Sequence, residues 1–274
     1  MDPVVDQSAL DGDVVVADVR WYLDGRSGAD AYAAGHLPGA VFVDLDRWLA
    51  GPPGPGTGRH PLPDPAVFAE GMSGLGISDD SVVVAYDDAG GTVAARLVWM
   101  LRALGTPAAL LDGGLPAYTG PLTTERVDPR RAEFTVRAWP KPQMANVDDA
   151  TSTTNVVIDA RAPERYRGDT EPVDPRAGHI PGALNLPCRE NLAADGRFRP
   201  PEELAARFAA AGIGAAAGAD GADASRVVSY CGSGVTACHN LIALEYAGRG
   251  RGRLYPGSWS EYCSDPDRAI ATGP

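Results

Sequence analysis

The sequence is most informative at first for what it has little of. No uninterrupted apolar run of about 18 residues occurs anywhere in its 274 residues, which excludes an ordinary transmembrane helix. The opening stretch MDPVVDQSALDGDVVVADVR is acidic and has neither a basic n-region nor an apolar core of signal-peptide kind, so the chain reads as cytoplasmic. Positive charge is scarce as well: 24 Lys and Arg stand against 36 Asp and Glu, a formal net charge of −12. That balance excludes the broad basic footprint a nucleic acid or anionic membrane requires, and an anionic ligand must be held by a few local arginines. Cysteines number only four, Cys188, Cys231, Cys238 and Cys263, all in the C-terminal half, so no disulfide framework is expected. Cys231 and Cys238 stand further apart than the usual zinc-ligand spacing of about two to four intervening residues, and no metal site is expected.

What is present, 44% hydrophobic and 22% charged residues, is the composition of a globular protein, and the length suits two cores better than one. The chain also repeats itself. GHLPGA at 35–40 recurs as GHIPGA at 178–183, each after an apolar run ending in Asp-x-Arg, at Arg20 and Arg161. VVVAYDDAGG parallels RVVSYCGSG, and LDGGLPAY parallels YPGSWSEY, both at an offset of 144 residues, as in Tyr86 to Tyr230.

In each half, short continuous apolar runs (14–17, 82–85 and 108–111; then 156–158 and 227–230) alternate with helical segments. Runs that are apolar on successive residues fit strands buried on both faces, the parallel-sheet arrangement, so the fold class is α/β. Val93, Leu97, Met100, Leu101 and Leu104 predict one inward stripe on the helix after VVVAYDDAGG. The boundary falls in TVRAWPKPQMANVDDATSTTN, giving domains over residues 1–138 and 147–274. GPPGPGTGRHPLP, 51–63, reads as an irregular loop, and the low-complexity stretch 215–225 as a solvated bulge without chemistry.

Cys231 sits where strand gives way to helix, the place where open α/β sheets collect chemistry. Gly232 and Gly234 let the backbone curl into a nest of N–H groups that stabilises an anion beside a helix N-terminus. An ordinary thiol with a pKa of about 8.5 is only about three per cent ionised at neutral pH, so a nucleophilic cysteine needs such a setting. A cysteine phosphatase would place an arginine six positions on, where this chain has Ala237. Asp87 occupies the equivalent place in the first half, so one half has the nucleophile and the other only the scaffold.

The paired Asp-x-Arg, the paired GH(L/I)PGA, Asp87 opposite Cys231 and the loop CGSGVTAC together resemble the tandem-rhodanese sulfurtransferase family over nearly the whole chain. The resemblance implies two rhodanese-like domains, each a parallel sheet flanked by helices. The uncharged loop is similar to the 3-mercaptopyruvate branch, whereas thiosulfate-using relatives carry basic residues there. It further implies that Cys231 carries sulfur as a persulfide and that Gly232, Gly234, Val235 and Thr236 line the donor site. Arg165 and Arg176, in ERYRGDTEPVDPR, would hold the donor's carboxylate, with Arg167 a nearby competitor. The family's Ser, His and Asp set falls on Ser233, His60 and Asp46, with Asp44 a rival to Asp46. Of the other histidines, His36 and His179 belong to the repeated turns, and His239 follows the loop on the helix. The implied reaction moves sulfur from a small anionic donor to cyanide or to a thiol acceptor, such as thioredoxin or a low-molecular-weight thiol. No cofactor is needed. Two alternatives stay open: a thiosulfate:cyanide sulfurtransferase and a non-catalytic rhodanese scaffold.

Overall fold

The structure, a computed structural model, describes residues 1–54, 56–214 and 223–274. Positions 215–222 of the stretch read as a bulge therefore lie outside the described residues. The chain forms two compact units. One comprises Met1–Gly51, Leu62–Trp139 and Leu192–Phe198; the other comprises Pro52–Pro61, Pro140–Asn191 and Arg199–Pro274. Each unit thus includes a short segment from the opposite half of the sequence.

The first unit is built on strands β1 (Val4–Val5), β2 (Val15–Asp18), β3 (Val41–Phe42), β4 (Val83–Tyr86) and β5 (Ala108–Leu111). They pair in parallel in the order β1-β5-β4-β2-β3. The second unit contains β6 (Val156–Asp159), β7 (Leu184–Asn185), β8 (Val227–Tyr230) and β9 (Arg253–Leu254), parallel in the order β7-β6-β8-β9. Every residue of β4, β5 and β8 is buried, as continuous β-branched and apolar runs require when helices cover both faces.

The repeated motifs have one physical purpose, to fix the C-terminal end of a strand. In the first unit the Asp18 carboxylate accepts from Arg20 Nη2 at 2.6 Å and from the Tyr86 hydroxyl at 2.7 Å, while Arg20 also donates to the Gly35 carbonyl at 2.8 Å. In the second unit Asp159 accepts from Arg161 at 2.6 Å, and Arg161 donates to the Gly178 carbonyl at 2.7 Å. His36 stacks on Tyr32 and His179 on Tyr166, both with ring centroids 3.7 Å apart, and each histidine's Nδ1 meets that tyrosine's carbonyl at 2.8 Å. Such buried ion pairs are tolerated because every charged group has hydrogen-bonding partners.

Two local expectations are altered. The helix Ala95–Ala103 is buried from Ala95 through Leu101 rather than along one stripe. It packs on β4 and β5, and the fully buried Arg96 reaches the Leu49 carbonyl at 3.2 Å, so protein covers more than one of its faces. The polar residues read as a break between domains include a short helix, Val147–Thr151, whose N-terminus is closed by a capping box between Asn146 and Asp149.

The second-half counterpart, helix Ala237–Tyr246, is buried from Ala237 through Leu244. Its two buried polar side chains are satisfied locally. Asn191 Nδ2 lies 3.1 Å from His239 Nδ1 and donates to Asn240 Oδ1 at 2.7 Å, and Asn240 donates to the Leu186 carbonyl at 2.8 Å. His239 is thereby a core residue.

Candidate active site

Cys231 follows the last residue of β8 and is 2% exposed. The Gly234 N–H points at its Sγ, 3.1 Å away. Gly234 has φ +79°, and a Cβ there would lie 2.6 Å from the Pro256 carbonyl oxygen, so only glycine lets this amide turn toward the sulfur. Beyond it Val235 is buried and Thr236 half-buried, and their carbonyls accept the Cys238 and His239 amides at 3.1 and 3.2 Å, opening the first turn of the helix.

A second turn braces the loop from behind. The Cys231 N–H donates to Ser258 Oγ at 3.1 Å, the Cys231 carbonyl accepts the Trp259 amide at 3.0 Å, and the Gly232 carbonyl accepts the Ser260 amide at 2.9 Å. Ser258 is the one non-glycine with a left-handed backbone among the described residues, φ 53°, and its hydroxyl donates to the Tyr255 carbonyl at 2.9 Å.

The first unit demonstrates what this kind of turn can solvate. Asp87, at the position equivalent to Cys231, accepts the Ala89 and Gly91 amides on Oδ1 at 2.8 and 2.7 Å, and the Val93 and Ala94 amides on Oδ2 at 2.7 and 2.9 Å. Burial pushes this carboxyl above its ordinary range while the four amides pull it down. The turn is an anion cradle, and in the first unit a carboxylate fills it.

In the second unit the segment Pro52–Pro61 brings two further residues to the loop that follows Cys231. Gly58 has φ +76°, and a Cβ on it would stand 2.4 Å from the Gly257 carbonyl oxygen, so the segment lies flat on the bracing turn. The next residue, Arg59, donates its amide to Ser260 Oγ at 3.0 Å. His60 then places Nδ1 2.7 Å from Ser233 Oγ. A hydroxyl bonded to an imidazole is an arrangement that can pass a proton.

Arg165 stands near the same loop. Nη1 and Nη2 of Arg165 lie 3.5 and 3.7 Å from where a Cβ on Gly232 would be. Arg165 Nη2 pairs with Glu171 at 2.6 Å and with Asp174 at 3.2 Å. Burial pushes the Asp174 carboxyl up, Arg59 pulls it down, Glu171 pushes it up and Arg165 pulls it down.

The other candidates are placed as follows. Arg176 donates to the carbonyls of Asp265 and Arg268 at 2.8 and 3.0 Å, so it ties down the C-terminal segment and would have to exchange these partners to reach a donor. Its rival Arg167 is half-buried and pairs with the exposed Asp169. Asp46 belongs to the first unit, where it is exposed and accepts the Trp21 indole N–H at 3.0 Å, while Asp44 accepts the Asp46 and Arg47 amides. All four cysteines are buried free thiols. Burial, then the neighbouring Cys231, pushes the Cys188 thiol up to about 12; burial, then Asp174, pushes Cys263 up to about 11.

Sequence reasoning overlooked Arg59 and Ser258. Ser258 had a detectable signal, since it stands 144 residues after Gly114, a glycine with φ +57°. Arg59 had none beyond its position next to His60.

Residues 5–120 and 143–265 match the family described as Rhodanese-like domain. A probable 3-mercaptopyruvate sulfurtransferase of Pseudomonas aeruginosa is 46% identical over 274 aligned residues, 95% of this chain and 93% of that protein. A putative thiosulfate sulfurtransferase of Mycobacterium tuberculosis is 42% identical over 273 residues, 95% of this chain and 91% of that one. Among solved structures, the 3-mercaptopyruvate sulfurtransferase from Leishmania major matches with a TM-score of 0.83 at 30% identity, covering 96% of this chain and 74% of that chain.

Proposed function

The chain belongs to the rhodanese-like domain family, and from that premise we propose that it is a 3-mercaptopyruvate sulfurtransferase working through a persulfide on Cys231. The observation that carries this reading is a thiol at a strand-to-helix turn, with an amide on its sulfur and a Ser233–His60 pair beside it. The chemistry falls to residues 147–274 together with His60, and residues 1–138 keep the scaffold with Asp87 in the cysteine's place.

In the first half-reaction the Cys231 thiolate attacks the donor sulfur. An S–S bond forms, the donor's C–S bond breaks, and its electron pair passes to carbon as the enolate of pyruvate. Ser233, fed by His60, supplies the proton that converts the enolate to pyruvate. Arg165 faces the donor carboxylate, and Arg176 joins it by releasing the carbonyls it now holds. In the second half-reaction an acceptor thiolate or cyanide takes the outer sulfur and Cys231 leaves as thiolate. Gly232, Gly234, Val235 and Thr236 present the cradle that receives this negative charge in both halves. Asp46 is the acid that the family resemblance adds to this Ser–His set, and we keep it as the third member of the proposal. No helix among the described residues is long and apolar enough to cross a membrane. We place the reaction in the cytoplasm, with thioredoxin or a low-molecular-weight thiol as acceptor.

Intact-mass measurement tests the reading. Exposure to 3-mercaptopyruvate adds about 32 Da, one sulfur atom, that maps to Cys231 and disappears on adding cyanide. Cys231→Ser gives no adduct; release of pyruvate by that variant at the wild-type rate would overturn the assignment. The thiosulfate reading is favoured by the Mycobacterium tuberculosis relative, and comparing kcat/KM for the two donors separates them.

A further inference from the structure

Because the chain is duplicated, a cavity in one unit can be compared with the same place in the other. The first unit has a cavity of about 420 Å³ with an apolar floor, where Val16 and Leu37 are buried and Leu10 is half-buried. In the second unit the equivalent positions are packed. Trp259, 144 residues after the half-buried Leu115, is fully buried and donates its indole N–H to the Arg176 carbonyl at 3.0 Å. Cys263 stands in the place of Thr119 and is 1% exposed. Asp6 and Asn146 cap corresponding helical turns, Gln7–Asp11 and Val147–Thr151, so Val147 takes the place of Gln7 and packs on the core. Gln7 instead donates to Thr119 Oγ1 at 2.9 Å and accepts the Thr119 amide at 3.2 Å. The first unit thus keeps polar side chains around an opening that its duplicate closes with apolar ones.

Two groups in the lining have unused hydrogen-bonding capacity. Tyr262, the duplicate of Tyr118, donates its hydroxyl to the Ala269 carbonyl at 2.6 Å, whereas the Tyr118 hydroxyl makes no hydrogen bond among the described residues. A Cβ on Gly120 would lie 2.3 Å from that hydroxyl oxygen, so glycine leaves it room. Asp11, exposed at the rim, is the one charged side chain in the lining and has neither hydrogen bond nor ion pair among the described residues. No Lys, Arg or His lines the cavity. A carboxylate and a phenol above an apolar floor accept an ammonium group and disfavour an anion, and the chain's net charge of −12 has the same sign of effect. The volume is in the range of small-molecule sites, about 300–1,000 Å³. We propose that this cavity binds a small primary ammonium compound with an apolar ring or chain, its N–H groups meeting Asp11 and Tyr118 and its apolar body covering Val16 and Leu37. The site belongs to the unit that lacks the cysteine and goes beyond the sulfurtransferase reading.

The test is isothermal titration calorimetry of the full chain with three probes of similar shape: 2-phenylethylammonium, 2-phenylethanol and 3-phenylpropionate. The ammonium probe should bind saturably at one site per chain, and the neutral and anionic probes at least about tenfold more weakly, the range of a charge-assisted hydrogen bond. Asp11→Asn should weaken binding of the ammonium probe about tenfold and Tyr118→Phe about threefold. Leu115→Trp, which gives the first unit the side chain that Trp259 supplies in the second, should abolish binding. Should that variant fold poorly, Gly120→Ala, whose methyl would press on the Tyr118 hydroxyl, should weaken binding instead. Absence of saturable binding up to about 10 mM, equal affinity for the three probes, or an Asp11→Asn variant that binds as tightly as wild type would overturn the proposal.

Discussion

Ser258 shows how one residue can hold the start of the cysteine loop in place. A left-handed backbone costs an L-residue roughly 1–2 kcal/mol, and the first half avoids that cost with Gly114. Serine is tolerated because its hydroxyl accepts the Cys231 N–H and donates to the Tyr255 carbonyl. Ser258→Gly removes the strain and the hydroxyl together, so unfolding in urea should shift by no more than about 1 kcal/mol while persulfide formation slows about tenfold in single turnover. A variant as fast as wild type would show that the Ser258 bond does not position Cys231. Cys231 itself was legible because a β-branched run, two glycines and a helical segment define a turn that needs few other residues. Ser258 was readable only through the repeat, and Arg59 not at all, since the groups that give it meaning, Asp174 and Gly232, are more than a hundred residues away in the chain.

Among elements, the segment Pro52–Pro61 shows what local sequence can and cannot convey. Its prolines and glycines identify an irregular loop, but not that it packs with the second unit or that His60 reaches Ser233. Gly58 is the hinge of that placement. In Gly58→Ala the new methyl would stand 2.4 Å from the Gly257 carbonyl and 2.9 Å from Ser260 Oγ, so the segment must lift. We expect kcat to fall about a hundredfold, the range of a lost proton relay, with Tm lowered by only a few degrees. Gly56→Ala is the control, because its φ of +73° imposes a similar strain while a Cβ there meets nothing within 4 Å. Equal activity losses in the two variants would assign the effect to backbone strain instead of the lifted segment. The five longer strands were legible to within a residue, because burial on both faces needs continuous apolar runs, whereas the two-residue strands β1, β3, β7 and β9 are too short to leave such a run. The all-round burial of Ala95–Leu101 was not, since it depends on which chain covers the outer face.

For the molecule as a whole, the buried thiols make stability depend on alkaline pH. An unfolded thiol ionises near pH 8.5, whereas burial keeps Cys188 protonated up to about 12. Above pH 8.5 the unfolded chain binds fewer protons than the folded one, so stability falls as pH rises, by about 1.4 kcal/mol per pH unit for this group until its folded value is reached. Urea titrations between pH 8.5 and 10.5 should show this decline, and Cys188→Ala should have a shallower slope. An identical slope in the variant would place the alkaline sensitivity in other groups, such as Tyr86 and Tyr230, whose hydroxyls burial also pushes up.

The sequence by itself determined the α/β class, the duplication, and the matching strand-to-helix turns that hold Cys231 in one half and Asp87 in the other. These depend on contacts between near neighbours: side chains alternating along a strand, glycines curling a loop, an Asp pairing with an Arg two residues on. Tertiary structure alone decided which charges surround the Cys231 loop. Arg176 and Arg59 look equally solvated in the sequence. Folding gives one of them to the carbonyls of Asp265 and Arg268 and sets the other above Gly232, because a guanidinium's role is fixed by the acceptors the fold brings within reach.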